Sequence, residues 1–135
     1  MVRPKETSRV GGIVASITGA IREHIIKRFT RSSKWPAVRH HHLVLNPRCA
    51  ACGGIKALQV HHIIPFDDRP DLELDYTNLI TLCMAYYDCH LHIGHGGNYS
   101  FFNPNVVTAS ALIRTTPSMR KQMELEALVH RKDRP

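Results

Sequence analysis

The chain's four cysteines fall in two close pairs, Cys49-Ala-Ala-Cys52 and Cys83 with Cys89, with thirty residues between the pairs. Two thiolate pairs on separated turns supply the four soft ligands of a tetrahedral zinc, each at about 2.3 Å. Gly53 and Gly54 follow the first pair directly, as a knuckle needs when its backbone wraps an ion. Disulfides are disfavoured because the chain has no convincing export signal. With 135 residues there is room for one core and short appendages, so a staple of this kind dictates what the rest packs around.

Hydrophobic residues make up 43% and charged residues 21%, which fits a globular chain and argues against wholesale disorder. The apolar stretch Ile13 to Ile21 is broken by Ser16, Thr18 and Gly19 and cannot span a bilayer. Membrane proteins, collagens and disulfide miniproteins are excluded, and a cytoplasmic location is expected. The net charge of +7 is unevenly placed. Residues 1–60 hold eleven Lys or Arg against Glu6 and Glu23, whereas residues 61–100 hold Arg69 against six carboxylates. A positive flank of this kind suits a polyanion, because each neutralised phosphate releases counterions. A solvated basic surface would look the same, so charge alone does not decide function.

Along the chain, Ile13, Ile17, Ile21 and Ile25 recur every fourth residue and predict an amphipathic helix with a packing role. A second helix is expected to open near Lys34-Trp35-Pro36 and to stop by Asn46-Pro47. Residues 57–64 read as a strand ended by Pro65, 67–76 as an exposed acidic loop, and 78–83 as a second strand. Asp88 is placed to cap a short helix carrying Cys89, His90 and His92, ended by Gly94, Gly96 and Gly97. Phe101 to Val107 reads as loop, and Thr116-Pro117 opens a last helix lined by Met119, Met123 and Ala127.

Ten histidines accompany the cysteines. His61 and His62 end a predicted strand, where neighbouring side chains point to opposite faces, so one can ligate a metal while the other turns to substrate. His40-His41-His42 cannot all chelate one ion from a helix and reads as a solvated face. His24 and His130 read as surface residues, and Trp35 as core.

Taken together, Cys49-x-x-Cys52, Val60-His61-His62-Ile63-Ile64-Pro65-Phe66, Leu74-Asp75-Tyr76-Thr77-Asn78-Leu79-Ile80-Thr81-Leu82-Cys83 and Cys89-His90 resemble the HNH endonuclease family over roughly residues 47–96. The resemblance implies an α+β fold, a small ββα-metal (His-Me finger) core with flanking helices and a zinc knuckle. It implies His61 and His90 as ligands of a catalytic divalent ion (Mg²⁺, Mn²⁺, Ni²⁺ or Zn²⁺), His62 as general base, and Asn78 as a clamp on the histidine-bearing loop. Many relatives carry a further histidine four residues beyond the Cys-His pair, where this chain has Gly94, with His92 and His95 on either side. His95 is expected to complete the site if Gly94 folds it back through a positive φ, leaving His92 peripheral.

The expected organisation is a basic helical extension (1–46), a nuclease core (47–97), and a loop with a C-terminal helix (98–135). The expected activity is metal-dependent hydrolysis of DNA, with double-stranded DNA as the expected partner and structural Zn²⁺ on Cys49, Cys52, Cys83 and Cys89. The alternative is a non-catalytic zinc module that binds nucleic acid or protein, which would need the cysteines but not His62, Asn78 or His90.

Overall fold

The computed structural model describes residues 18–23, 25–26, 30–85 and 87–132. By contact, the chain divides into two compact units, Met1–Ser32 and Ser33–Pro135. In the first, the described residues between 18 and 26 are helical. Of the predicted isoleucine row, Ile21 and Ile25 are about half exposed. Ile13, Ile17 and His24 lie outside the described residues.

The second unit is α+β. Helix α1, Trp35–Leu45, opens with Pro36 in its first turn, where the missing N–H costs nothing. Strands β1, Leu58–His62, and β2, Leu79–Cys83, form an antiparallel hairpin in which His61 faces Ile80 and His62 faces Leu79. A π-helical turn, His90–Gly94, follows, and then helices α2, Val106–Thr115, and α3, Pro117–Lys132. Helix α2 begins inside the segment whose sequence predicts a loop, at Val106 and Val107, and runs on to Thr115.

Strand alternation divides the hairpin into two faces. His61, Ile80 and Leu82 share the face that meets the π-turn, whereas His62 lies on the other, against α1. Arg39 of α1 donates from Nη2 to Gln59 Oε1 at 2.8 Å and ties the helix to β1. The core cluster includes Ile80, Leu82, Ile93, Val106 and Ile113 together with the buried cysteines Cys49, Cys83 and Cys89. So few large apolar side chains make a thin core, and the sulfur cluster is part of it.

The link between the strands is only partly the exposed acidic loop expected. Asp67, Asp68 and Asp71 are exposed, and Arg69 forms a surface ion pair with Asp71 at 2.7 Å. Glu73, however, is buried. Its segment turns inwards because two short 3₁₀ turns, Pro70–Leu72 and Tyr76–Asn78, fold the chain back onto the hairpin.

Of His40-His41-His42, the first two are exposed as a solvated face requires, and His42 departs from it. His42 is 5% exposed and stacks on Tyr76, while His41 Nδ1 is hydrogen-bonded to the Tyr76 hydroxyl at 2.7 Å. Both ring nitrogens of His42 are buried without a hydrogen-bond partner. Desolvation therefore holds its pKa below the ordinary 6.5. The unfolded chain takes up a proton near pH 6.5 that the folded chain refuses. The stability this site contributes is full above that pH and is lost as pH falls towards the depressed folded value. Urea midpoints of the wild type should fall between pH 7.5 and 5 more steeply than those of His42→Phe. Parallel profiles would show that His42 is not held neutral.

Candidate metal centre and active site

The thiols of Cys49, Cys52, Cys83 and Cys89 converge so that their sulfurs all lie within 4.8 Å of one another. None is in a disulfide, and Cys52 Sγ lies 3.6 Å from Cys83 Sγ. A tetrahedron with metal–sulfur bonds of about 2.3 Å has an edge of roughly 3.8 Å, so this spacing fits zinc and is far beyond a disulfide's roughly 2.05 Å. Local backbone chemistry builds the knuckle. Gly53 adopts φ +76°, which only glycine takes without strain. Its N–H donates to Cys49 O at 2.9 Å, and the Gly54 N–H donates to Cys52 Sγ at 3.4 Å. Arg114 of α2 donates from Nη1 to Cys49 O at 3.2 Å, joining the helix to the knuckle.

Crowded sulfurs share protons unequally. The Cys49 thiol is pushed well below the usual range because Cys52, Cys83 and Cys89 donate to it. Cys89 is held far above that range, chiefly by its hydrogen bond to Cys49.

A second cluster brings together His61, His90 and His95, whose ligand nitrogens also lie within 4.8 Å of one another. The rings stand nearly edge to face, with centroids 4.9–5.2 Å apart. His61 Nε2 and His90 Nδ1 are buried with no hydrogen-bond partner, which an imidazole tolerates when a cation accepts its lone pair. His95 Nδ1–H donates to the Phe101 carbonyl at 2.6 Å, leaving Nε2 as the basic nitrogen. Burial, reinforced by the neighbouring imidazoles, pushes the His61 pKa down to about 3, and burial lowers that of His90 as well. Three imidazole ligands would leave further positions for water and phosphate on a divalent ion.

His95 reaches this cluster by a route different from the one its sequence suggests. Gly94 has no positive φ. The segment is instead π-helical, and a turn closed by i→i+5 pairing returns the fifth residue near the starting face. On a regular α-helix His95 would lie about 140° away from His90. The glycine serves another purpose, because a Cβ there would stand 3.0 Å from His61 Cε1 and 3.2 Å from Leu82 Cδ1. His92 is exposed, apart from the cluster.

His62 occupies the opposite face of the hairpin and is 8% exposed. Its Nε2–H donates to the Glu73 carbonyl at 3.0 Å, which assigns Nδ1 as the ring's proton acceptor. Trp35 stacks on the same imidazole, with centroids 4.6 Å apart and planes inclined by 29°. Trp35 is therefore a half-buried cover on His62 rather than a core residue, and nothing in its sequence neighbourhood reveals that pairing.

Asn78 clamps the chain leaving β1. Its Oδ1 accepts from Ile64 N–H at 2.8 Å, and its Nδ2 donates to Ile64 O at 3.0 Å. Its own carbonyl accepts from Ile63 N–H at 2.8 Å. The residues after the histidine pair are thus bonded to one side chain and its backbone.

An antiparallel hairpin and a helical turn bearing a histidine cluster, braced by a four-cysteine cluster, define a ββα-metal core. Residues 47–96 match the family model described as HNH endonuclease, so this segment carries the HNH domain, and the family implies nuclease-type chemistry on nucleic acid. No curated protein and no solved structure matches the chain. Helix α1, with Trp35, and everything after Gly96 lie outside the matched residues. No described helix is long and apolar enough to cross a membrane.

Proposed function

We propose that the chain is a metal-dependent DNA endonuclease that hydrolyses phosphodiester bonds with one divalent ion and a histidine general base. The observation that carries this reading is the pairing of two adjacent histidines with different environments. His61 joins a cluster of orphaned ring nitrogens, while His62 is locked in one tautomer by a backbone carbonyl. His61, His90 and His95 would hold the ion, which supplies Lewis-acid stabilisation of charge on the phosphoryl and leaving oxygens. His62 Nδ1 takes the proton of the attacking water as the new oxygen–phosphorus bond forms and the bond to the 3′-oxygen breaks. Glu73 O and Trp35 orient the base, and Asn78 fixes the segment that follows it. Cys49, Cys52, Cys83 and Cys89 would hold a structural zinc that sets the direction in which His90 leaves Cys89.

The test is incubation of the zinc-loaded protein with supercoiled plasmid in Mg²⁺, Mn²⁺ or Ni²⁺. Nicked or linear product that disappears with chelator is expected. Binding without cleavage in every metal would leave the non-catalytic zinc module as the function.

His95→Ala should weaken binding of the catalytic ion by more than about tenfold, and His92→Ala should leave it unchanged. Calorimetric titration of Mn²⁺ or Ni²⁺ into protein whose cysteine site is already filled checks both. The reverse pattern would place His92, and not His95, at the ion.

A further inference from the structure

We propose that Tyr99, Phe101 and Phe102 form a stacking platform for an unpaired nucleobase beside the histidine cluster, so that the site takes single-stranded or locally unpaired nucleic acid. This rests on the nuclease reading and narrows its substrate class away from intact duplex. The three aromatics fall within four residues and are 54%, 66% and 40% exposed. They include two of the chain's four phenylalanines. Single exposed apolar residues need no explanation, but three together next to a site do.

The Tyr99 ring and the backbone of this segment are held against the cluster. Tyr99 lies 5.0 Å from the His95 ring and 6.0 Å from the His90 ring, tilted against both. The Phe101 carbonyl accepts the His95 Nδ1–H described above. Gly97 N–H donates to Leu91 O at 2.9 Å, Asn98 N–H to His95 O at 3.1 Å, and Asn103 N–H to Gly94 O at 2.9 Å. A platform pinned to the π-turn by these bonds is ordered before anything binds, which lowers the entropic cost of binding.

Its position and chemistry suit a base. A nucleobase is one sugar away from its phosphate, the same length scale that separates Tyr99 from the histidines. In a duplex only base edges are reachable from the grooves, and ring faces become available when a strand is unpaired or a base is turned out. Residues 96–107 contain no Asp, Glu, Lys or Arg, unlike the acidic 67–75 segment. The loop therefore neither repels phosphate nor attracts it, and its contribution to binding comes from ring stacking.

The experiment uses the zinc-loaded full chain carrying His62→Ala, to suppress cleavage, with Mn²⁺ present. Fluorescence anisotropy would compare a labelled oligothymidine, a duplex of equal length, and an abasic strand with the same phosphates. Oligothymidine should bind more tightly than either of the others. Adding Tyr99→Leu or Phe101→Ala should weaken oligothymidine binding by about fivefold or more, with Tyr99→Phe retaining it. The abasic strand and the salt slope should not change, because no phosphate contact is lost. A preference for duplex, or an equal loss on the abasic strand, would overturn the platform. So would unchanged binding accompanied by loss of self-association in light scattering, since the patch would then face a second copy. Cleavage is not needed for this readout. A wild type that cuts nothing while the stacking pattern holds would end the nuclease reading and leave the platform standing.

Discussion

His62→Ala should lower the rate of plasmid cleavage by about 10²–10⁴-fold, the usual contribution of a general base. Zinc content and affinity for DNA should stay close to those of the wild type, because His62 belongs to neither metal cluster. Single-turnover rates at saturating protein isolate the effect on the chemical step from any effect on binding. Trp35 acts through the same imidazole, as a positioning residue. Trp35→Ala should therefore depress kcat with little change in KM, and Trp35→Phe should restore most of it by keeping a ring in the stack. Trp35 is the chain's one tryptophan, so its emission should also move when His62 is removed, whatever the activity. Full cleavage by His62→Ala would remove this residue from the mechanism. Unchanged emission would show that the stack does not persist in solution.

Loss of the cysteine-bound zinc should unfold the Ser33–Pro135 unit rather than merely silence it. Cysteines make up much of the buried cluster, and few large aliphatic residues surround them. Zinc-finger peptides gain an apparent 10–16 kcal/mol from structural zinc near pH 7, comparable with or larger than the roughly 5–15 kcal/mol stability of a whole domain. Cys49→Ser and Cys89→Ser replace fully buried thiols. Each should abolish near-ultraviolet dichroism and reduce zinc content well below the wild type's expected one ion per chain. A metal-free protein that keeps cooperative thermal unfolding and native dichroism would show that the thiols act only as small apolar residues. Because His90 follows Cys89 directly, a partial loss of order at the knuckle should also weaken the histidine cluster.

Much of this arrangement was legible because it depends on neighbours in sequence. Cys49 and Cys52 share one tight turn, and Gly53 supplies the left-handed residue that turn requires. Pro36 and Pro47 bracket α1 through their fixed φ and missing N–H groups. His61 and His62 point to opposite faces because any strand alternates, which is why adjacent identical residues acquire different environments. The resemblance spanning residues 47–96 coincides with the matched family model.

Other features depend on contacts between distant segments and leave no local signature. The π-turn that returns His95 is one residue wider than an α-turn, a difference that hydrophobic periodicity does not encode. His42 looks like one of three solvated histidines until Tyr76 comes back over it. Glu73 reads as a loop carboxylate, although its backbone carbonyl is what holds His62. The cover on His62 comes from Trp35, twenty-seven positions earlier in the chain. Residue type, spacing and backbone chirality thus determined which groups could ligate, turn or accept a proton. Only the folded chain decided which of them meet, because burial and ring-to-ring contact arise when α1, the hairpin and the 3₁₀ turns close on one another.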